Sequence, residues 1–239
     1  MHFRVITSTS PLNPNCMVLA THLDALELFF CRPGDNKWTR ICGDLQRRLG
    51  PYYCNDTIFY EDEFYVVDRI AELFRIDFGL SSAVKLTLER TYTTLFNYLV
   101  ELNGDLLLVT RPKNVVTPPA GTRSITTHGE HFGDPLYYRT TVFRIFKMDW
   151  HEGKWVFDKI KNIGNNAILL GKHSSSSFPV DGGIANFQAN CIYFIDDCEV
   201  TDRSKLPDIG AYNLETQRIE WLYEHSTVWT SPLNWFRVH

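Results

Sequence analysis

The sequence lacks the features that mark several large classes of protein. None of its six cysteines lies in a C-x-x-C pair, which excludes the common zinc-ribbon and redox motifs. No apolar run approaches the roughly 20 residues that a membrane helix needs, and the N-terminus has no apolar signal-peptide stretch. We therefore expect an intracellular protein, cytoplasmic or nuclear, that keeps its cysteines reduced and binds no membrane.

Clusters of basic charge are also scarce. The 24 Lys and Arg residues stand against 28 Asp and Glu residues, which gives a net charge of −4. Basic residues cluster only at Arg47-Arg48 and at Lys159 and Lys161. Neither pair alternates with aromatic residues, as the binding of single-stranded nucleic acid requires. We therefore expect no nucleic-acid partner.

The sequence is instead rich in aromatic residues, which lie in short strand-like segments. Aromatics make up 14% of the 239 residues and there are only three methionines, a balance that favours strands over helices. Segments 58–67 and 99–109 predict tight inner hairpins, the second with Asn103-Gly104 at its turn. Because helix-period patterns are nearly absent, the chain is expected to be all-β.

A second type of hairpin recurs along the chain, with turns near residues 35, 80, 151 and 215. Once two polar stretches, 112–136 and 172–190, are excluded as insertions, these turns are spaced by about 45 residues, a period typical of four-stranded β-propeller blades. The sequence therefore predicts about four such blades in a single propeller-like domain over 1–239, in which 1–15 form an N-terminal strand and linker. An irregular β-sandwich is the alternative.

Tryptophans occupy similar places in three of the outer hairpins. Trp38, Trp155 and Trp221 each fall in the strand that follows the turn. A large ring at this position would fill the wedge between two neighbouring blades. We expect all three to be packing residues and not a stacking platform for a ligand.

The two polar stretches contain residue types that can bind metal or accept phosphate. His128 and His131 form an H-x-x-H pair, but zinc needs four rigid ligands, and no cysteine or third histidine is near in sequence. The serine run 174–177 offers sites for phosphorylation, although a mobile connection is the simpler interpretation. We expect a solvated loop around the histidines and no structural metal.

Acidic clusters at Glu61-Asp62-Glu63 and Asp196-Asp197 are the candidates for general acid–base chemistry. Adjacent residues of a strand point to opposite faces, so Asp196 and Asp197 cannot face one substrate together. Carboxylates that accept hydrogen bonds from backbone amides in turns explain such clusters better. No nucleophile elbow or phosphate-binding loop occurs. We predict no catalytic residue, no metal site and no cofactor.

Two segments near the C-terminus carry a family resemblance: 187–197, which reads Phe-Gln-Ala-Asn-Cys-Ile-Tyr-Phe-Ile-Asp-Asp, and 208–214, which reads Asp-Ile-Gly-Ala-Tyr-Asn-Leu. Together they resemble the C-terminal domain of plant F-box proteins of the KIB type. Matching segments follow the family's order over residues 16 to 236, at 59–68, 98–109, 143–156, 170–171 and 231–236.

The resemblance implies a β-propeller that holds a protein substrate. Members of that family usually carry an N-terminal helical F-box, which docks on a Skp-type adaptor within a cullin ubiquitin ligase. No F-box precedes the first strand-like residues here, and the family's early Gly-Trp-Leu and Asn-Pro segments are missing. We therefore expect no binding to a Skp-type adaptor, and either an open array of blades, an incomplete ring, or a smaller ring of four.

These expectations converge on a non-catalytic module that binds a protein partner on one propeller face, namely the substrate-recognition part of an F-box-type protein without its F-box. The sequence does not indicate which residues contact the partner. Two alternatives stay open. The resemblance also allows stoichiometric inhibition of a partner protein kinase, and the propeller architecture also occurs in enzymes and sugar-binding proteins.

Overall fold

A computed structural model describes ten stretches of the chain, and these contain strands and turns but no helix. The all-β prediction is confirmed. In these stretches no helix is therefore of a length and apolarity that could cross a membrane. The described residues are 3–22, 27–41, 54–68, 70–86, 96–116, 137–152, 154–171, 175–181, 187–195 and 208–222.

The chain divides into two compact units, residues 1–110 with 145–160, and residues 111–144 with 161–239. The first unit begins with two four-stranded antiparallel sheets, each in chain order. Their strands are β1 (Phe3–Thr7), β2 (Val18–His22), β3 (Glu27–Cys31) and β4 (Thr39–Arg40), then β5 (Cys54–Tyr60), β6 (Glu63–Asp68), β7 (Leu73–Asp77) and β8 (Ser82–Leu86).

A third sheet has the same four-stranded form but a separate hairpin inserted at its middle. It contains β9 (Phe96–Leu102) and β10 (Asp105–Arg111). The inserted hairpin of β11 (Lys113–Val116) and β12 (Tyr137–Thr140) follows and belongs to the second unit. The sheet is completed by β13 (Arg144–His151) and β14 (Lys154–Ile160), in the order β14-β13-β10-β9. Part of the predicted polar insertion 112–136 is therefore a strand.

The fourth sheet, in the second unit, has five strands where four were expected. They are β15 (Asn166–Leu170), β16 (Ser175–Pro179), β17 (Cys191–Phe194), β18 (Gly210–Asn213) and β19 (Arg218–Trp221), in the order β16-β15-β17-β18-β19. The β15–β17 pair is parallel, and the other pairs are antiparallel.

The extra strand β16 corrects the expectation that the serine run is only a connection. Ser175 to Ser177 pair with β15, which is almost entirely buried, so they form the edge strand of the sheet. Phe178 anchors the strand, because its ring packs edge-on against Phe187 at 5.0 Å. Ser174 lies outside the described residues.

Both inner hairpins have the predicted turns, and each turn has two residues with positive φ. Asn103 and Gly104 have φ of 53° and 84°, as the Asn-Gly signal predicts. Glu61 and Asp62 adopt the same conformation, with φ of 46° and 62°. Four further turns match the predicted outer hairpins, between β3 and β4, β7 and β8, β13 and β14, and β18 and β19.

The blade-like sheets of the first unit stack through apolar and aromatic side chains. One cluster joins the first two sheets; in it Phe78 lies 4.9 Å from Phe30 and 5.5 Å from Phe64, measured between ring centroids. A second cluster joins the second and third sheets and includes Trp155, whose ring lies 6.0 Å from that of Tyr65. The predicted all-β architecture of four blade-like sheets is confirmed.

Of the three tryptophans, Trp155 packs between two sheets as predicted. Trp221 packs edge-on at 6.0 Å against Phe194, which belongs to the same five-stranded sheet, so its place between two blades stays a prediction. Trp38 does not pack as predicted. Trp38 is 48% exposed, because β4 begins only at Thr39 and the indole therefore belongs to the preceding turn. A single propeller-like domain over 1–239, open or closed, stays a prediction.

Candidate protein-interaction face

The turns within the hairpins of the first unit lie at one end of its three sheets. In a four-stranded meander, the first and third turns share one end. Contacts between sheets align these ends, because the Tyr60 hydroxyl donates a hydrogen bond of 2.6 Å to the Gly104 carbonyl. The Phe30–Phe78 contact does the same for the outer turns of the first two sheets. We call this end the hairpin face; it comprises 8–17, 32–38, 61–62, 78–81, 103–104 and the turn between β13 and β14.

Large apolar side chains project from the hairpin face into solvent. Single exposed apolar residues are ordinary on protein surfaces, but a group of them at one end of a domain marks a contact site. Four such residues lie in or beside these turns: Leu12 (94% exposed), Leu80 (76%), Trp150 (60%) and Trp38 (48%). The arrangement provides an apolar surface that a protein partner could cover.

Hydrogen bonds hold the turns that carry these side chains. In the turn before Leu80, Asp77 Oδ1 accepts a bond of 3.0 Å from the Leu80 amide. In the turn 32–38 the carboxylate lies after the amide instead of before it: Asp35 Oδ2 accepts a bond of 2.7 Å from the Arg32 amide. Since the turns are already fixed, little ordering entropy is lost when a partner binds.

The loop that carries Leu12 and the end of β13 that carries Trp150 are also held in place. The ends of the loop 8–17 are joined by a 2.9 Å bond from the Ser8 amide to the Met17 carbonyl, and by a 2.8 Å bond from the Met17 amide to Ser8 Oγ. The Trp150 ring packs edge-on against Trp155 at 5.4 Å.

A groove of about 250 Å³ lies where β6 begins and β7 ends, at the hairpin face. It contains part of the predicted acidic cluster, but the carboxylates do not form an acid–base pair. Glu63 is bound to the Arg75 guanidinium at 3.0 Å and accepts a 3.2 Å bond from the Tyr65 hydroxyl, whose pKa is raised by burial and by Glu63. The groove is lined by Asp62, Glu63, Arg75, Ile76, Asp77 and Phe78.

Glu61 was expected to accept hydrogen bonds from backbone amides of its turn, but its carboxylate contacts a side-chain hydroxyl instead. Glu61 Oε1 lies 3.3 Å from the Tyr60 hydroxyl, as a second and weaker acceptor beside the Gly104 carbonyl, and caps no backbone amide of the described residues. Burial, followed by the charge of Glu61, raises the pKa of Tyr60 to about 12, so this hydroxyl stays protonated. The amide-capping role belongs instead to Asp35, Asp68 and Asp77.

Sequence reasoning missed two buried ion pairs that hold strands together. In the first unit, the guanidinium of Arg4 pairs with Asp56, whose Oδ2 also accepts a 3.0 Å bond from the Leu99 amide. In the second unit, Arg111 pairs with Asp208 at 3.1 Å. Each set of partners is far apart in sequence, so no local spacing could have indicated it.

The Arg111 site in the second unit is an enclosed polar network. Arg111 Nε donates to Thr140 Oγ1 at 2.8 Å, and Nη1 donates to the Ile195 carbonyl at 2.8 Å. Thr140 Oγ1 donates in turn to Asp208 Oδ2 at 2.7 Å, and the guanidinium carbon lies 4.7 Å from the centre of the Phe194 ring. Because the Arg111, Thr140 and Asp208 side chains are almost completely buried, we assign the network a structural role.

The remaining predicted residues divide into two groups. Lys159 and Lys161 are exposed. In the described parts of the chain, no group of three or more His, Cys, Asp or Glu side chains could hold a metal ion. Outside the described residues lie His128, His131, Asp196, Asp197, Arg47, Arg48 and Ser174.

The stacked four-stranded sheets of the first unit have the architecture of β-propeller blades. The sequence matches the KIB1-4 beta-propeller family over residues 1–213, and the chain belongs to that family. This confirms the resemblance to the propeller domain of plant F-box proteins.

Two individual proteins are similar to this chain. A candidate F-box protein from Arabidopsis thaliana is 22% identical over 237 residues, and the match covers 97% of this chain but only 59% of that protein. The chain therefore spans about three fifths of the relative's length. A solved structure, titled "Structure of YjhT", has a TM-score of 0.39 and 10% identity, with 82% of this chain and 70% of that chain covered.

Proposed function

We propose that the chain is a non-catalytic module that binds a partner protein on its hairpin face. The observation that carries this proposal is the group of exposed apolar residues, Leu12, Trp38, Leu80 and Trp150, in or beside turns at one end of the first unit. Clusters of exposed aromatic and aliphatic side chains on rigid turns are the usual anchors of protein interfaces. Membership of a propeller family that includes an F-box relative supports it.

The state of the carboxylates supports the non-catalytic part of the proposal. General acid–base catalysis needs two carboxylates that face one cavity in different environments. Glu63 is neutralised by Arg75, and Asp77 is engaged in capping its turn. Glu63 therefore links β6 to β7 through its ion pair, and Asp77 stabilises the turn that follows β7.

The finer proposal is that the partner is an intracellular protein recognised as a substrate in a ubiquitin-ligase pathway. The F-box relative supports the ligase link, and the free thiols of Cys16, Cys31 and Cys191 fit a reducing compartment. If the chain instead inhibits its partner by binding alone, the partner's abundance in cells will not respond to the chain, whereas its activity will fall.

The test is a comparison of proteins captured from plant extract by three forms of the full chain. The double variant Leu80→Ser/Trp150→Ser removes two anchors from the hairpin face. The control Val5→Ser/Val84→Ser removes two exposed side chains from the middle of β1 and β8 instead. We expect the hairpin variant to lose, by about tenfold or more, a protein that the wild type and the control retain. Equal capture by all three forms would overturn the proposal.

A further inference from the structure

Arg139 of the second unit is held against the ring of Trp221. Its guanidinium carbon lies 3.5 Å from the centre of the indole ring, which is the distance of a direct cation–π contact. The indole is itself fixed by Phe194, whose ring it meets edge-on at 6.0 Å. The backbone beside Arg139 is also held, because the Thr140 amide donates to Asp208 Oδ1 at 3.1 Å. The fold therefore sets the position of this guanidinium.

No carboxylate of the described residues forms an ion pair with Arg139. The carboxylate of Asp208, whose charge reaches Arg139, is occupied by the Arg111 guanidinium at 3.1 Å and by the Thr140 hydroxyl at 2.7 Å. Arg139 makes no hydrogen bond with the described part of the chain either, and its Nε is buried without an acceptor. Two guanidinium groups therefore share one buried carboxylate, and the charge of Arg139 has no counter-ion among the described residues.

The surroundings of Arg139 make this charge costly but leave it within reach of a ligand. Burial lowers the pKa of Arg139, and the carboxylate of Asp208 offsets that effect only in part. The residue is only half-buried, and Nε is its one nitrogen that is both buried and without an acceptor. Nη1 and Nη2 are therefore accessible from solvent. An anion bound to them would supply the counter-ion that a partly desolvated cation lacks.

We infer that Arg139, stacked on Trp221, binds one carboxylate group of a ligand through Nη1 and Nη2. A guanidinium directs parallel N–H groups at the two oxygens of a carboxylate. A carboxylate carries the single negative charge that balances Arg139, whereas a phosphate group carries about −1.5 to −2. The inference goes beyond the proposed function, because the site lies in the second unit and does not include the hairpin face. Acidic side chains of proteins and free small organic acids both carry this group.

Two variants of the full chain separate the charge of Arg139 from the shape of its head. Arg139→Gln removes the charge, whereas Arg139→Lys keeps a cation beside the indole but replaces the planar fork by a compact ammonium group. The matched control is Arg218→Gln, which removes an exposed guanidinium from the first residue of β19, the strand that ends at Trp221. Urea denaturation checks that each variant is folded, and Arg139→Lys keeps the test open if Arg139→Gln is unstable.

The experiment compares two pools of short random peptides with blocked termini and otherwise uncharged residues, one with a fixed central glutamate and one with glutamine. We expect wild-type protein to bind the glutamate pool about tenfold more tightly than the glutamine pool. Arg139→Gln should abolish the preference, Arg139→Lys should reduce it, and Arg218→Gln should keep it. Equal or absent binding of both pools by the wild type, an unchanged preference in either Arg139 variant, or an equal loss in the control would each overturn the inference.

Further ligands identify the bound group and its source. A pool with a fixed phosphoserine should bind no more tightly than the glutamate pool, and tighter binding would show that the carboxylate assignment is wrong. Sodium propionate carries the carboxylate of glutamate without a peptide. If propionate binds wild type as tightly as the glutamate pool and Arg139→Gln loses it, the carboxylate site holds and its source is a free organic acid. If propionate binds far more weakly than the pool, the site holds and its source is an acidic side chain of a protein.

Discussion

Arg111 and Asp208 are 97 residues apart in the sequence, yet they form an ion pair of 3.1 Å that is almost completely enclosed within the second unit. Their side chains are 0% and 2% exposed. The pair joins the end of β10 to a residue two positions before β18, and Thr140 adds β12 to the same network. Three distant segments of the chain therefore depend on one polar contact.

Removal of the Arg111 guanidinium should destabilise the second unit strongly, because it leaves the Asp208 carboxylate buried without its cation. We expect Arg111→Met to lower the free energy of unfolding by about 3–5 kcal/mol, measured by urea denaturation. Arg75→Met is the matched control. It breaks a pair whose side chains are 40% and 39% exposed, and should cost about 1 kcal/mol or less. Similar losses in both variants would contradict the structural role of the network.

Thr140→Val provides a milder form of the same test. Thr140 Oγ1 accepts from Arg111 and donates to Asp208, so valine removes two hydrogen bonds but leaves the ion pair. The expected loss in the same urea experiment is about 2 kcal/mol, smaller than that of Arg111→Met. A loss larger than that of Arg111→Met would show that the hydroxyl, and not the ion pair, dominates.

The buried carboxyl of Asp68 gives a specific pH dependence. Burial raises its pKa from 3.8 to about 6, although its carboxylate accepts bonds from the Ile70 and Glu72 amides. The folded state therefore binds this proton more tightly than the unfolded chain, so its contribution to stability is present below pH 4 and is lost as the pH rises to about 6. The loss is at most about 3 kcal/mol.

The measurement compares wild type with Asp68→Asn in urea between pH 4 and pH 7. Asparagine keeps an acceptor for both amides but does not titrate. The free energy of unfolding of the wild type, relative to the variant, should fall across this window. A difference that is flat, or that rises with pH, would show that the carboxyl has no raised pKa.

The two tryptophans of the β13–β14 hairpin should differ in their effects. Trp155 packs with the cluster between the second and third sheets, so Trp155→Ala should lower the free energy of unfolding by about 3 kcal/mol. Trp150 is 60% exposed, and Trp150→Ala should cost well under half as much. Thermal denaturation of both variants checks this; equal shifts would contradict the exposed position of Trp150 on the hairpin face.

Replacing the inner turn residues Glu61 and Asp62 by Asn and Gly, the residues of the other inner turn, should stabilise the protein. Both positions have positive φ, which asparagine and glycine adopt at lower cost. We expect Glu61→Asn/Asp62→Gly to raise the free energy of unfolding by about 1 kcal/mol. The reverse exchange, Asn103→Glu/Gly104→Asp, should lower it by a similar amount. If the first exchange destabilises the protein, the turn geometry is not as described.

Sequence patterns predicted the sheets because each hairpin is a local event. The Asn103-Gly104 turn and the alternation of apolar residues lie within about ten residues, and so do the outer turns near 35, 80, 151 and 215. The same local reasoning missed β16, because a run of serines does not look like a strand. That strand forms because the buried β15 beside it needs a hydrogen-bonding neighbour.

The hairpin face was less predictable, because it depends on which turns are brought to one end of three stacked sheets. Leu12, Leu80 and Trp150 are isolated apolar residues in the sequence, and only the contact between the Tyr60 hydroxyl and Gly104, with its counterparts between sheets, shows that they share an end. Trp38 was expected to pack within a strand, and this failed because the sequence does not show that β4 begins only at Thr39. The ion pair of Arg111 and Asp208 gave no local signal at all.

Site-specific photocrosslinking in plant cells tests the central claim most directly. A photoreactive phenylalanine analogue is placed at Leu80 on the hairpin face or, as the control, at Val84, which is 38% exposed in the middle of β8. The two positions are close in sequence, so expression and folding should be matched. We expect a crosslinked partner protein from position 80 and none from position 84. Crosslinking of the same partner from position 84 alone, or equally from both positions, would contradict the account.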